Sequence, residues 1–155
     1  MSLIFKHPSG SEMYQCGKRE IPAYLANKTI GLLVLSAEEY QPKSLRKNPS
    51  LFKGVSRVYV PLKDKASFAR PALEDTIGRA SQASYHVVSA LLKGRNVLVT
   101  CWAGINRSGL ISGMALIDIL GCTGEEAIQI VRKGRGYFAL YNPLFQKILV
   151  SYASS

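Results

Sequence analysis

The segment from residue 96 to residue 121 most limits the folds open to this chain. Residues 96–100 (NVLVT) form a short, valine-rich apolar run, which is typical of a strand buried on both faces. Residues 108–120 are apolar nearly all round, which predicts a buried helix, and Gly121 would end that helix. Cys101 and a short loop join the two. The segment therefore predicts a strand, a loop and a helix in the protein interior.

Strand-like runs alternate with helical patterns along the rest of the chain. Residues 29–36 and 55–62 are typical of strands, and residues 13–16 are expected to add a strand at the sheet edge. A long helix is predicted next, with Pro71 near its start and a stop at Lys93-Gly94. Its apolar face is formed by residues spaced alternately by four and three positions: Leu73, Ile77, Ala80, Ser84, Val87 and Leu91.

Two shorter helices are predicted towards the carboxyl end. Thr123-Gly-Glu-Glu126 is a capping box that opens a helix running to Lys133, with Gly134 beyond it. The last helix follows Asn142-Pro143 and turns Leu144, Ile148 and Leu149 inward. Alternating strands and helices predict an α/β fold. We expect a single domain over residues 1–155, with a central, mainly parallel (mixed) sheet of about four to five strands flanked by helices.

The composition narrows the classes of function. The chain has 20 Lys+Arg against 10 Asp+Glu, a net charge of +10 that attracts polyanions in general. The basic residues are scattered, which favours a solvated surface over a nucleic-acid platform. Three cysteines and two histidines show no metal-ligand or disulfide spacing, so we expect no metal and no cofactor. The sequence shows neither a signal peptide nor a membrane span, and a cytoplasmic location is expected.

The loop after Cys101 has the composition of an anion site. Its residues are Trp102, Ala103, Gly104, Ile105 and Asn106, and Arg107 follows at the start of the predicted helix. Consecutive loop amides that turn inward form a concave site for an anion, and a helix N-terminus adds positive potential. A glycine allows the backbone to turn inward without a Cβ penalty. Together these features predict a phosphate-binding loop.

The side chains at the two ends of this loop suit phosphoryl transfer. The guanidinium of Arg107 can bind two phosphate oxygens at once. The same positive pocket favours the thiolate form of Cys101, which is a nucleophile suited to in-line attack on phosphorus. Ser108 can donate its hydroxyl to the sulfur when the sulfur becomes the leaving group. A cysteine and an arginine at this spacing are weak signals alone, but the buried strand and helix around them strengthen the interpretation.

The segment from Cys101 to Gly109 resembles the signature loop of the cysteine-based protein tyrosine phosphatases, in particular the small dual-specificity branch. Val60-Pro-Leu-Lys-Asp64 resembles the strand and acid loop of that family. Residues 132–135 and the later Asn142-Pro143-Leu-Phe145 resemble its C-terminal helix pair. The resemblance implies a dual-specificity phosphatase-like fold and a phosphocysteine intermediate. It also implies that Asp64 is the general acid, with Glu74 and Asp75 as weaker candidates.

One position departs from the family pattern. The family usually has histidine directly before the cysteine, where this chain has Thr100. A threonine offers only a hydroxyl to hold the loop, so we expect a rate profile shifted to alkaline pH. Trp102 is expected either to line the pocket mouth or to pack on a neighbouring helix. Cys122 is expected to be a core residue, and Cys16 is a candidate resolving thiol.

The sequence leaves three functions open. The first is a protein phosphatase that acts on phosphotyrosine, and on phosphoserine and phosphothreonine, with a phosphorylated protein as its partner. The second is an RNA 5′-triphosphatase or other polyanion phosphatase of the same superfamily, which is the only case that implies a nucleic-acid partner. The third is a phosphate-binding pseudophosphatase. The oligomeric state is not indicated.

Overall fold

A five-stranded mixed sheet forms the centre of the computed structural model, which describes residues 1–37 and 49–154. The strand order is β1-β2-β5-β3-β4. Strands β2, β5, β3 and β4 run parallel, and β1 is antiparallel to β2. The strands are β1 (Leu3–Lys6), β2 (Glu12–Gly17), β3 (Leu32–Ala37), β4 (Ser56–Leu62) and β5 (Val97–Cys101). This architecture confirms the predicted α/β class with a mainly parallel sheet.

Helices cover both faces of the sheet. Their bounds are α1 (Ile21–Asn27), α2 (Arg70–Leu92), α3 (Arg107–Leu120), α4 (Gly124–Arg135) and α5 (Pro143–Ser154). Successive residues of β5 point to opposite faces, as the strand period requires. Val97 and Val99 pack with α2 to α5, and Leu98 packs with α1. None of the helices in the described ranges combines the length and the apolar character that crossing a membrane requires.

Helix α3 lies at the centre of the layer that α2 to α5 form on one face of the sheet, and its residues from Arg107 to Ile117 are all buried. Two glycines let other elements approach its backbone closely. A Cβ on Gly109 would lie 2.8 Å from Leu140, and one on Gly113 would lie 2.8 Å from Leu149. Burial of each leucine or isoleucine of this helix contributes about 1.5–3 kcal/mol to the free energy of folding. Gly121 ends the helix in the left-handed conformation, with φ of 65°, as predicted.

Two sequence predictions about element positions were wrong. The strand predicted over residues 13–16 is not at the edge, because β1 pairs with its outer side. The helix predicted to stop at Lys133 continues through Gly134 to Arg135. Gly134 lies in the helix where β1 packs against it: a Cβ there would lie 2.4 Å from the Leu3 carbonyl oxygen. The helix start was right, since Thr123 and Glu126 form both hydrogen bonds of the capping box.

Candidate active site

Cys101 ends the central strand β5, between β2 and β3, at the carboxyl edge of the parallel sheet. The residue is 4% exposed. The amide nitrogen of Gly104 donates to its sulfur over 3.2 Å. The hydroxyl oxygen of Ser108 also lies 3.2 Å from the sulfur. An amide and a hydroxyl at these distances can stabilise negative charge on Sγ.

Backbone amides from outside the 101–107 loop bind two of its carbonyls, those of Trp102 and Ile105, and turn them away from the sulfur. The Trp102 carbonyl accepts a hydrogen bond of 3.1 Å from the amide of Lys18, just after β2. The Ile105 carbonyl accepts one of 3.2 Å from the amide of Leu140, which precedes α5. Leu140 has φ of 58°, a left-handed conformation that a leucine rarely adopts. Two distant parts of the chain thus fix the ends of the loop.

Side chains hold the other two carbonyls of the loop, those of Ala103 and Gly104, which lie between Trp102 and Ile105. The Ala103 carbonyl accepts from Arg135 Nη2 over 2.9 Å. The Gly104 carbonyl accepts from Arg135 Nε over 3.0 Å and from Gln15 Nε2 over 2.9 Å. Gln15 is fully buried on β2, and Arg135 is the last residue of α4. Every carbonyl from 102 to 105 therefore has a donor outside the loop.

The outward carbonyls determine where the loop amides point. The C=O and N–H of one trans peptide unit point in opposite directions. Turning the carbonyls of residues 102 to 105 outward therefore turns the amides of residues 103 to 106 inward. The hydrogen bond from the Gly104 amide to Cys101 Sγ shows this inward direction. The arrangement is a nest of amides around the sulfur, at the N-terminus of α3.

Glycine is required at position 104. Its φ is 73°, in the left-handed region. A Cβ there would lie 2.3 Å from the carbonyl carbon of Cys16 and 2.4 Å from the amide nitrogen of Gly17. The loop is thus packed directly on the backbone at the end of β2.

Arg107 opens α3 and is 8% exposed. Its Nη1 donates to the carbonyl of Leu62 over 3.3 Å, at the end of β4. That contact places the guanidinium between the loop and the segment that leads to Asp64. The Arg107 side chain therefore connects the start of α3 to the strand that precedes the predicted acid.

Asp64 lies beside the loop, although 37 residues separate it from Cys101 in sequence. Its carboxylate accepts from Asn106 Nδ2 over 3.1 Å and from Asn142 Nδ2 over 2.7 Å. The backbone amide of Asn142 in turn donates to Asn106 Oδ1 over 3.0 Å. The structure therefore joins the predicted acid to the last variable residue of the loop.

The two rival carboxylates lie elsewhere. Glu74 pairs with Arg70 over 3.3 Å, and Asp75 pairs with Arg79 over 2.9 Å. Both are exposed i,i+4 pairs on α2, which contribute little to stability. Neither has a hydrogen bond to the 101–107 loop in the described part of the chain.

Thr100 is part of the sheet. Its hydroxyl donates to the Val34 carbonyl over 2.7 Å, and its own carbonyl accepts from Ser36 Oγ over 2.7 Å. Thr100 thus links β5 to β3 through two hydrogen bonds. Its hydroxyl proton is directed at β3 and not at the loop.

Three further residues were singled out in the sequence. Trp102 is 44% exposed, and the Lys18 ammonium lies 3.2 Å from its ring centroid. Cys16 is fully buried, and burial raises the pKa of its thiol. Burial also raises the pKa of the partly buried Cys122.

Sequence reasoning missed four residues that shape this site: Gln15, Glu20, Arg135 and Asn142. Glu20 Oε2 accepts from the Gly17 amide over 2.9 Å and lies 3.2 Å from Arg135 Nη2. Arg135 and Asn142 fall within residues 132–135 and 142–145, the two segments whose sequence resembles the C-terminal helix pair of the family. Nothing in their local pattern indicated which carbonyls or carboxylates they contact.

Comparison with known proteins defines the class. The family model of the dual specificity phosphatase catalytic domain matches residues 13–155. The chain therefore belongs to the dual-specificity phosphatase family, within the cysteine-based protein tyrosine phosphatase superfamily. Among curated protein sequences, none matches the chain.

Solved structures share the fold at low sequence identity. Tk-PTP in its active form is 20% identical with a TM-score of 0.73, over 99% of this chain and 97% of that one. Human DUSP28 is 22% identical with a TM-score of 0.73, over 99% and 94%. DUSP15 is 18% identical with a TM-score of 0.74, over 97% and 86%. These similarities extend the α/β architecture to nearly the whole chain.

Proposed function

We propose that residues 1–155 form one catalytic domain, a protein phosphatase that hydrolyses phosphotyrosine, and also phosphoserine and phosphothreonine, through a phosphocysteine intermediate. The observation that carries the proposal is the set of outward carbonyls from residue 102 to residue 105, with the Gly104 amide 3.2 Å from Cys101 Sγ. Such a nest suits three equatorial phosphate oxygens above a sulfur. Family membership supports the same chemistry.

In the first step, the phosphate binds to the inward amides and to the guanidinium of Arg107. The Cys101 thiolate attacks phosphorus in line with the leaving oxygen. A P–S bond forms as the P–O bond to the substrate breaks. Asp64, protonated and positioned beside Asn106, transfers its proton to the leaving oxygen. The products are the dephosphorylated residue and phosphocysteine.

In the second step, water replaces the departed residue. The Asp64 carboxylate accepts a proton from this water as its oxygen attacks phosphorus. The P–S bond breaks, and the electron pair returns to Cys101. Ser108 stabilises the leaving thiolate by a hydrogen bond, from the position 3.2 Å away that its hydroxyl already occupies. Inorganic phosphate is released.

The position of Asp64 favours this function over the RNA 5′-triphosphatase. Enzymes of the latter kind work without an aspartate acid, whereas here two asparagine amides direct the carboxylate to the loop. A pseudophosphatase would need neither this carboxylate nor the Ser108 hydroxyl near the sulfur. The contacts of Asp64 and Ser108 therefore support an enzyme with an acid.

The test is turnover of an aryl phosphate and of matched phosphotyrosine, phosphoserine and phosphothreonine peptides. Cys101→Ser should abolish turnover and retain phosphopeptide binding. Asp64→Asn should lower kcat by about 10²–10⁴-fold, the usual contribution of general acid catalysis. Asp75→Asn is the control, because that carboxylate is exposed on α2 and paired with Arg79.

Three results would decide against the proposal. Full activity of Asp64→Asn on a 5′-triphosphorylated RNA, with none on peptides, would favour the RNA enzyme. Peptide binding by the wild type without any hydrolysis would indicate a pseudophosphatase. Equal losses in Asp64→Asn and Asp75→Asn would remove Asp64 from the mechanism.

A further inference from the structure

Arg135 lies outside the 101–107 loop and donates two side-chain hydrogen bonds to it. Its side chain is 13% exposed, although it ends a surface helix. Nε and Nη2 donate to the carbonyls of Gly104 and Ala103 over 3.0 and 2.9 Å. Nη1 donates to Ser2 Oγ over 3.0 Å, and both Glu20 oxygens lie within 3.4 Å of the guanidinium. The five N–H groups thus face five acceptor atoms.

These contacts are directed at the part of the loop that the backbone does not hold. Backbone amides fix the carbonyls of residues 102 and 105, whereas side chains fix those of residues 103 and 104. The peptide unit between Ala103 and Gly104 carries the amide that donates to Cys101 Sγ. The hydrogen bond from Arg135 to the Ala103 carbonyl therefore sets the direction of that amide.

Glu20 fixes Arg135 in turn. Its Oε2 accepts from the Gly17 amide over 2.9 Å as well as pairing with Arg135. Gly17 is the last residue of β2, and Gly104 packs on its backbone. The carboxylate thus joins α4 to the strand end on which the loop rests, and it balances the charge of the guanidinium.

We propose that Arg135, held by Glu20, is a positioning residue that keeps the 101–107 loop in its anion-binding conformation. The inference rests on the proposed function of that loop. With its donors directed at carbonyls, a hydroxyl and a carboxylate, Arg135 acts on the phosphate through the loop amides and not by contact. Lysine cannot replace it, because one ammonium cannot reach both carbonyls with the geometry of the planar fork.

Arg132 provides a matched control. It lies one turn earlier on α4, and its guanidinium also binds two consecutive carbonyls, those of Ala139 and Leu140, over 2.9 and 3.3 Å. These two carbonyls belong to the segment before α5, and not to the loop. Loss of either arginine removes a carbonyl clamp, but only Arg135 acts directly on the loop.

The experiment compares Arg135→Met, Arg135→Lys and Arg132→Met. For each variant we would measure the unfolding midpoint, kcat and KM on an aryl phosphate, and the binding constants of orthovanadate and inorganic phosphate. Arg135→Met should weaken anion binding and kcat/KM by about 10- to 100-fold, the usual loss when a residue that orients the ligand-contacting groups is removed. Arg135→Lys should lose nearly as much. Arg132→Met should lose stability but weaken vanadate binding much less than Arg135→Met does, because Arg132 reaches the loop only through Leu140, whose amide holds the Ile105 carbonyl at the loop end.

Several results would overturn the proposal. One is wild-type vanadate affinity in either Arg135 variant, and another is an equal loss of affinity in Arg132→Met. If Arg135→Met does not fold, Arg135→Lys alone decides the matter. The anion measurements separate this inference from the proposed function. If vanadate binding depends on Arg135 but the wild type hydrolyses nothing, only the proposed function is refuted. A wild type that binds neither anion would refute both.

Discussion

Gly104→Ala tests how closely the 101–107 loop packs on the end of β2. The added methyl group would meet backbone atoms of Cys16 and Gly17 at 2.3–2.6 Å, and φ at this position is 73°. Gly94→Ala is the matched control. Gly94 has φ of 77° just after α2, and a methyl group added there would meet no atom within 4 Å beyond its chain neighbours. The two variants share the backbone strain, but only one has the clash.

The structure gives a magnitude for the difference. A left-handed alanine costs about 1–2 kcal/mol at either site. The close contact with rigid backbone at position 104 adds about 1–3 kcal/mol, as overpacking of a filled site usually does. For a domain of this size, 1 kcal/mol lowers Tm by about 2–4 °C. We therefore expect Gly104→Ala to unfold about 2–12 °C below Gly94→Ala.

The assay is thermal unfolding of both variants with and without orthovanadate. If the loop relieves the clash by moving away from β2, the Gly104 amide leaves the sulfur, and vanadate binding weakens in place of stability. The two variants should therefore differ in Tm, in vanadate affinity, or in both. Gly104→Ala and Gly94→Ala with the same Tm and the same vanadate affinity would refute the packing argument.

Two further predictions concern the thiols and the acid. At neutral pH, iodoacetamide should modify Cys101 first, because burial raises the pKa of Cys16 and of Cys122 and so lowers the thiolate fraction of both. Peptide mass spectrometry after short exposure checks this, and equally fast reaction of either cysteine would contradict it. Asn142→Asp should keep α5 capped but remove the amide that donates to Asp64, so the acid loses a hydrogen bond that positions it. Turnover of alkyl phosphates, whose leaving groups need the acid most, should then fall more than that of aryl phosphates, and an equal fall for both substrates would contradict this.

The central part of the site could be predicted from the sequence because its signals are local. A valine-rich strand, a loop with Gly104 and a helix opened by Arg107 follow one another directly in the chain, and each has its own pattern. The proximity of Asp64 to the loop came from the family resemblance. By itself, the Lys63-Asp64-Lys65 turn is typical of solvent-exposed loops.

The supports of the site could not be predicted, because they depend on tertiary contacts between distant elements. Gln15 and Arg135 are 89 and 31 residues from Gly104, whose carbonyl both of them bind. β1 was missed because four residues at a sheet edge carry too little alternation to indicate a strand. That omission also caused the error over β2, since an unseen neighbour made β2 look like the edge.

The four outward carbonyls of the loop have a consequence for how the protein responds to ligands. Their donors come from residues 15, 18, 135 and 140, so the proposed anion pocket requires β2 and the carboxyl-terminal helices to be docked together. Occupancy of the pocket must then oppose local opening of both ends of the chain. Amide hydrogen exchange should therefore slow at both Lys18 and Leu140 when phosphate is added, although the two residues lie far apart in sequence.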